Sequence, residues 1–143
     1  MIFKDLLNLS DHYLYIQDIK EYGRNTLELI IEFHYKYPKT RENVLFSQIY
    51  KDDQKPVVKI TFDFYIAYSV LNESYVVQER YEKYKGTFFR LYKKSRYLDY
   101  ISLGTIATSD YPGPFKHYGI CALDHIIDVV SVEEPIIEVI QNT

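Results

Sequence analysis

Tryptophan is absent from this 143-residue chain, and cysteine and methionine occur once each. A lone cysteine, Cys121, excludes an internal disulfide framework and points to a reducing compartment. The first nine residues set Lys4 and Asp5 in a short apolar stretch, too brief and too mixed for an export signal. No apolar run approaches the ~20 residues that a bilayer-spanning helix needs. A chain of this length buries enough surface to fold without a bridge or a structural metal. The expectation is one soluble, cytoplasmic domain over residues 1–143, with no cofactor. The five glycines are scattered, and none opens a helix with phosphate-loop spacing. Long helices alternating with strands are missing too, which excludes a doubly wound nucleotide-binding fold.

What the chain does have is tyrosine. Sixteen Tyr and eight Phe bring the aromatic share to 17%. Both residues favour strands, and Tyr adds a polar tip that suits half-buried sheet positions and binding surfaces alike. The net charge of −3 is unevenly spread. Residues 76–100 hold Arg80, Lys83, Lys85, Arg90, Lys93, Lys94 and Arg96 against Glu79, Glu82 and Asp99. Residues 117–143 have no Lys or Arg and carry Asp124, Asp128, Glu133, Glu134 and Glu138. Such polarity either steers a charged partner or reflects two segments that pair within the fold.

Periodicity gives the elements. Residues 2–9 read as a short helix, and 12–19 as a strand. Gly23 and Asn25 supply positive φ if the turn at 22–25 requires it. Over 26–36, Leu27, Leu29, Ile31, Phe33 and Tyr35 alternate with polar residues, as a strand with one wet face does; Ile30 is the exception. Residues 44–50 form another strand. Residues 57–70 alternate for so long that a bend or bulge near Ala67 is expected. Residues 73–79 lean to strand, and 87–92 are a strand. Ser95 caps a short helix that carries Asp99 in its first turn and stops at Gly104. Residues 108–114, with two prolines and a glycine, form a loop. Strands at 116–122, 125–132 and 136–140 finish the chain. The fold class is therefore α+β: an antiparallel sheet of about seven to nine strands with one or two short helices.

Catalytic chemistry finds little support in this pattern. His12, His34, His117 and His125 lack zinc-ligand spacing, so no metal site is expected. Cys121 lies near His117 and His125 in sequence, with Asp124 or Asp128 to orient an imidazole. Flanked by Ile120 and Ala122, it reads more simply as a small buried hydrophobe, and no catalytic residue is assigned. Glu133 and Glu134 precede Pro135 in a turn, the usual place for solvated acids. The run of basic and aromatic side chains over 80–100 suits phosphate and base contacts, or a small ligand. The acidic balance and a pI near 5.8 oppose a dedicated nucleic-acid binder. A basic edge strand that resists aggregation explains the same lysines.

Three stretches carry a likeness: residues 68–74 (YSVLNES), 86–100 (GTFFRLYKKSRYLDY) and 117–135 (HYGICALDHIIDVVSVEEP). In this order they resemble small bacterial proteins, several of which look like immunity proteins encoded beside polymorphic contact-dependent toxins. The likeness spans about the C-terminal half and rests on strand and helix patterning. It implies a binding protein that neutralises a cognate toxin domain by blocking its active site or substrate groove. An acidic face then occupies a basic cleft, with Asp124, Asp128, Glu133 and Glu134 as its charges and Tyr111 and Tyr118 as its anchors. An RNA- or ligand-binding module using residues 80–100, and an enzyme centred on Cys121 and His117, stay open beside it.

Overall fold

Two antiparallel sheets, not one, form from the alternating segments. The structure is a computed structural model that describes residues 1–35, 55–78 and 80–140. A short helix, α1 (Phe3–Leu6), opens the chain; β1 (His12–Tyr22), β2 (Thr26–Tyr35) and β3 (Val57–Phe62) follow, then β4 (Ala67–Asn72). Next come β5 (Lys83–Gly86), β6 (Phe89–Lys94), α2 (Arg96–Gly104), β7 (Lys116–Cys121), β8 (His125–Ser131) and β9 (Ile136–Ile140). Strands β1-β2-β3-β9 make one sheet and β4-β8-β7-β6-β5 the other. The strand expected at 44–50 lies outside the described residues. Among the described residues no helix is long and apolar enough to cross a membrane.

The long alternation over 57–70 turns out to be two strands. Residues 63–66 leave the ladder, with Phe64 at φ 51°, and the chain crosses from the first sheet to the second. The alternation of residue types runs on through the crossing although Phe64 is 64% exposed and β4 is only partly buried, so the pattern alone hides the break. The strand expected over 73–79 does not form at 73–78, and residue 79 lies outside the described residues. Asn72 caps a single 3₁₀ turn at Glu73–Tyr75, its side chain accepting the Ser74 N–H at 2.9 Å, and 76–78 are irregular. In the β1–β2 turn, positive φ falls on Arg24 and Asn25, not on Gly23.

The inner faces of the two sheets share one core. Leu27, Leu29, Ile31 and Phe33 of β2 and Val58, Ile60 and Phe62 of β3 meet Phe89, Tyr118, Ile120, Ile127 and Val129 of the second sheet. Helix α1, whose Asp5 carboxylate accepts the Ile2 N–H at 2.8 Å, adds Phe3 and Leu6. Phe3 sits edge-on to Phe89 (centroids 5.8 Å apart) and to Tyr118 (4.9 Å), and Phe62 meets Tyr118 at 5.4 Å. Part of the aromatic excess is thus core packing, at about 0.5–1.5 kcal/mol per ring pair beyond the area buried.

Tyr118 was expected on the surface as a binding anchor, but it is 1% exposed. In β7 the odd positions face outward and the even ones inward, so its ring points into the core. Among the described residues its hydroxyl has no hydrogen-bond partner, and burial pushes its pKa up to about 12. An orphaned buried hydroxyl costs about 1–3 kcal/mol. Tyr118→Phe should therefore stabilise the protein, by about 1 kcal/mol in urea denaturation. A loss of stability would mean that the hydroxyl is satisfied in solution.

Candidate functional site

The outer face of the five-stranded sheet gathers most of the remaining chemistry. Its register follows from the β7–β8 hairpin: Cys121 pairs with Ile126, Gly119 with Asp128 and His117 with Val130. On the far side, Tyr92 pairs with His117 and Arg90 with Gly119. Alternation then sends Arg90, Tyr92, His117, Cys121 and Asp128 to the same face. Helix α2 covers one end of that face, packing Ile101 and Ala107 on Val130. The uncovered part is an open groove of about 740 Å³, walled by Tyr84, Tyr97, Glu82 and the segment 76–78.

At its inner end lies a buried polar relay. Ser95, the N-cap of α2, accepts the Leu98 N–H at 3.0 Å, and its Oγ lies 2.7 Å from His117 Nδ1. His117 Nε2 lies 2.6 Å from Asp128 Oδ1. With Nε2–H donating to the carboxylate, Nδ1 accepts the Ser95 hydroxyl and both ring nitrogens are satisfied. Tyr92 stacks on the imidazole at 4.1 Å and Tyr97 meets it edge-on at 5.4 Å.

Serine, histidine and aspartate in series invite comparison with a hydrolytic triad, but the roles do not match. Ser95 and His117 are buried at the foot of α2, and the hydroxyl already serves as a helix cap. A nucleophile needs an accessible oxygen beside its base. This chain of bonds instead locks the helix onto the sheet.

The pairing of Cys121 with His117 fares no better. They lie four residues apart on one strand, about 13 Å along its axis, so neither reaches the other. Cys121 is half-buried in the groove floor and not a core residue. Burial pushes its thiol pKa up, Asp128 and Glu82 push it further, and Arg90 pulls the other way. Among the described residues, no group of three or more His, Cys, Asp and Glu side chains is placed to hold a metal ion.

No family model matches this chain, and no curated protein or solved structure does. What it can bind must be read from its own surfaces.

The four acids do not share one face. Asp124 sits exposed in the β7–β8 turn, whereas Glu133 and Glu134 lie beyond the other end of β8, about 20 Å away along the strand. Asp128 lies midway, its side chain 20% exposed and bonded to His117. Tyr111 is a different matter. It is 67% exposed on the loop between α2 and β7. That loop passes the β8–β9 turn at Gly113, where a Cβ would stand 3.9 Å from Val132. The structure thus sets Asp124 and Glu133–Glu134 at opposite ends of β8, with Asp128 between them and Tyr118 in the core.

One exposed feature was not foreseen from the sequence. Tyr100, Leu103 and Ile106 recur at three-residue spacing along and just past α2, and are 62%, 90% and 83% exposed. The signal was present: the helix buries Ile101, so residues 100 and 103 fall outside its packed stripe.

The basic run over 80–100 divides. Lys83 and Lys85 lie on β5, an edge strand, as protection against sheet-to-sheet pairing requires. Its rings already have cations: Lys94 and Arg96 flank Tyr81 at 4.4 and 4.6 Å, and Arg90 covers Tyr84 at 4.1 Å. Tyr81 also donates its hydroxyl to Asp99.

Proposed function

We propose that this is a non-catalytic binding protein that neutralises a toxin domain, docking through Tyr100, Leu103, Ile106 and Tyr111 together with Glu133 and Glu134. One observation carries the reading: two aliphatic side chains, Leu103 and Ile106, stand almost fully exposed in the same segment as two exposed tyrosines, Tyr100 and Tyr111. Exposed apolar rows rimmed by charge mark interaction surfaces. Aromatic and aliphatic anchors at the centre supply affinity, while rim carboxylates steer and orient a partner of opposite charge. Lys116 neutralises part of this rim, its Nζ 3.5 Å from Glu134. The partner that fits is basic with an apolar centre, as a nuclease cleft is. The resemblance to immunity proteins supports the same class of partner.

The test is growth protection. The chain is co-expressed with the C-terminal domain of the polypeptide encoded immediately upstream, and binding of the purified pair is measured by calorimetry. Ile106→Asp is expected to weaken binding by about 30-fold or more, as loss of a 2 kcal/mol anchor does. Glu134→Lys should slow association, with a salt-dependent effect. Both sites are exposed, so thermal stability should hold. Full protection by the double variant would reject the surface, and absence of binding would reject the reading.

A further inference from the structure

The groove on the outer face of the five-stranded sheet is not used by that docking surface, and it holds two charges with unused capacity. The Arg90 guanidinium donates through Nε to the Thr87 carbonyl at 2.8 Å and lies 3.4 Å through Nη1 from the Tyr92 hydroxyl. Its face covers the Tyr84 ring. Among the described residues no carboxylate pairs with it, and Nη2 has no partner. Opposite stands Asp128, with Oδ1 on His117 and, among the described residues, no partner on Oδ2. A half-buried guanidinium left unpaired is costly, and its fork geometry matches a carboxylate.

Register sets the two residues on opposite sides of one strand. Arg90 and Asp128 both pair with Gly119, one from each side, so two strand spacings separate them, about 9.6 Å between Cα atoms. Gly119 puts no side chain between them. A Cβ there would lie 2.6 Å from Cε2 of Tyr92, so the ring edge and the bare backbone form the floor. Both charges act on the same neighbours: Arg90 and Asp128 shift the Cys121 thiol in opposite senses, and likewise the Tyr92 hydroxyl.

We propose that this groove binds a free α-amino acid, its carboxylate on Arg90 and its ammonium on Asp128. The lengths agree. Two charge-assisted hydrogen bonds of about 2.8 Å and a head group about 3 Å from nitrogen to carboxylate oxygen add to about 9 Å. Tyr84 and Tyr97 are placed to contact the side chain of the guest. A volume of about 740 Å³ exceeds what a small amino acid needs, so a large or aromatic one fits best. Glu82 at the wall adds negative potential, which favours the ammonium end.

The experiment titrates the full chain with each free amino acid by heteronuclear NMR, following the amides of β6, β7 and β8. The N-acetyl and carboxamide derivatives of any binder are run alongside. Saturable binding of at least one amino acid at about 1 mM or tighter is expected. Both derivatives should bind at least tenfold more weakly, since each lacks one charge. Arg90→Gln, at a groove wall outside the buried relay, should abolish binding with the spectrum otherwise preserved. Asp128→Asn, which keeps the contact to His117, should lose the preference for the free amine. Three results would overturn the assignment: no saturable binder, equal binding of the blocked derivatives, or unchanged binding by Arg90→Gln. Arg90→Gln should also leave toxin protection intact, which separates this site from the docking surface. Lost protection with no amino-acid binding would assign the groove to the protein partner and reject the proposal.

Discussion

Ser95→Ala is expected to lower the unfolding free energy by about 2–4 kcal/mol, a large loss for one hydroxyl. Two separate functions vanish together. The first is the helix cap: Ser95 Oγ accepts the Leu98 N–H, and replacing a serine N-cap with alanine costs about 1 kcal/mol. The second is the donor to His117 Nδ1. That imidazole is 1% exposed, so water cannot replace the lost bond, and an orphaned buried acceptor costs about 1–3 kcal/mol. Ser95→Gly separates the two, because glycine at an N-cap costs only a few tenths of a kcal/mol. If the relay matters, Ser95→Gly should lose nearly as much stability as Ser95→Ala in urea denaturation. If capping alone matters, the glycine variant should be close to the parent protein. A loss below about 1 kcal/mol in Ser95→Ala would mean that the histidine finds another donor.

That relay also shows how far local reasoning reaches. Ser95 as N-cap, Asp99 in the first turn and Gly104 at the end were all legible, because capping chemistry acts within a few residues. The three C-terminal strands were legible too, and the Leu123-Asp124 turn fixes the register of the first two. With that turn placed, the pairing of Gly119 with Asp128 follows by counting. It puts Asp128 diagonally beside His117, so this contact was within reach of the sequence. The contact from Ser95 to His117 was not. It joins residues 22 apart through the way α2 lies on the sheet, and packing angle is a tertiary property. The same limit explains the crossing at 63–66: alternation reports which side faces the core, not which sheet the strand belongs to. The acidic face failed for a related reason. Asp124, Asp128, Glu133 and Glu134 are close in sequence, but an extended chain carries each about 3.3 Å further on, so nearness in sequence becomes distance in space.

Gly86→Ala is expected to cost about 3 kcal/mol or more, and to damage the groove along with the fold. Gly86 closes β5 at φ 102°, a conformation that residues with a side chain rarely adopt. The added Cβ would stand 1.9 Å from the Phe89 carbonyl oxygen and 3.0 Å from Leu7 Cδ2. The oxygen belongs to the backbone and cannot swing aside, so the hairpin must open. Its turn is tied in three directions: the Thr87 N–H to the Leu7 carbonyl at 3.2 Å, the Phe88 carbonyl to the Cys121 N–H at 2.7 Å, and the Thr87 carbonyl to Arg90 Nε. Opening it frees the guanidinium and withdraws Tyr84, which rides on β5. Amide exchange should show β5 unprotected, and amino-acid binding should fall although Arg90 and Asp128 are unchanged. Gly23→Ala is the control. It has open space around its Cβ and no left-handed φ, so its effect should stay within about 0.5 kcal/mol. If the two alanine variants were equally stable, the backbone at 86 would be free to relax, and the groove would owe its shape to something other than this turn.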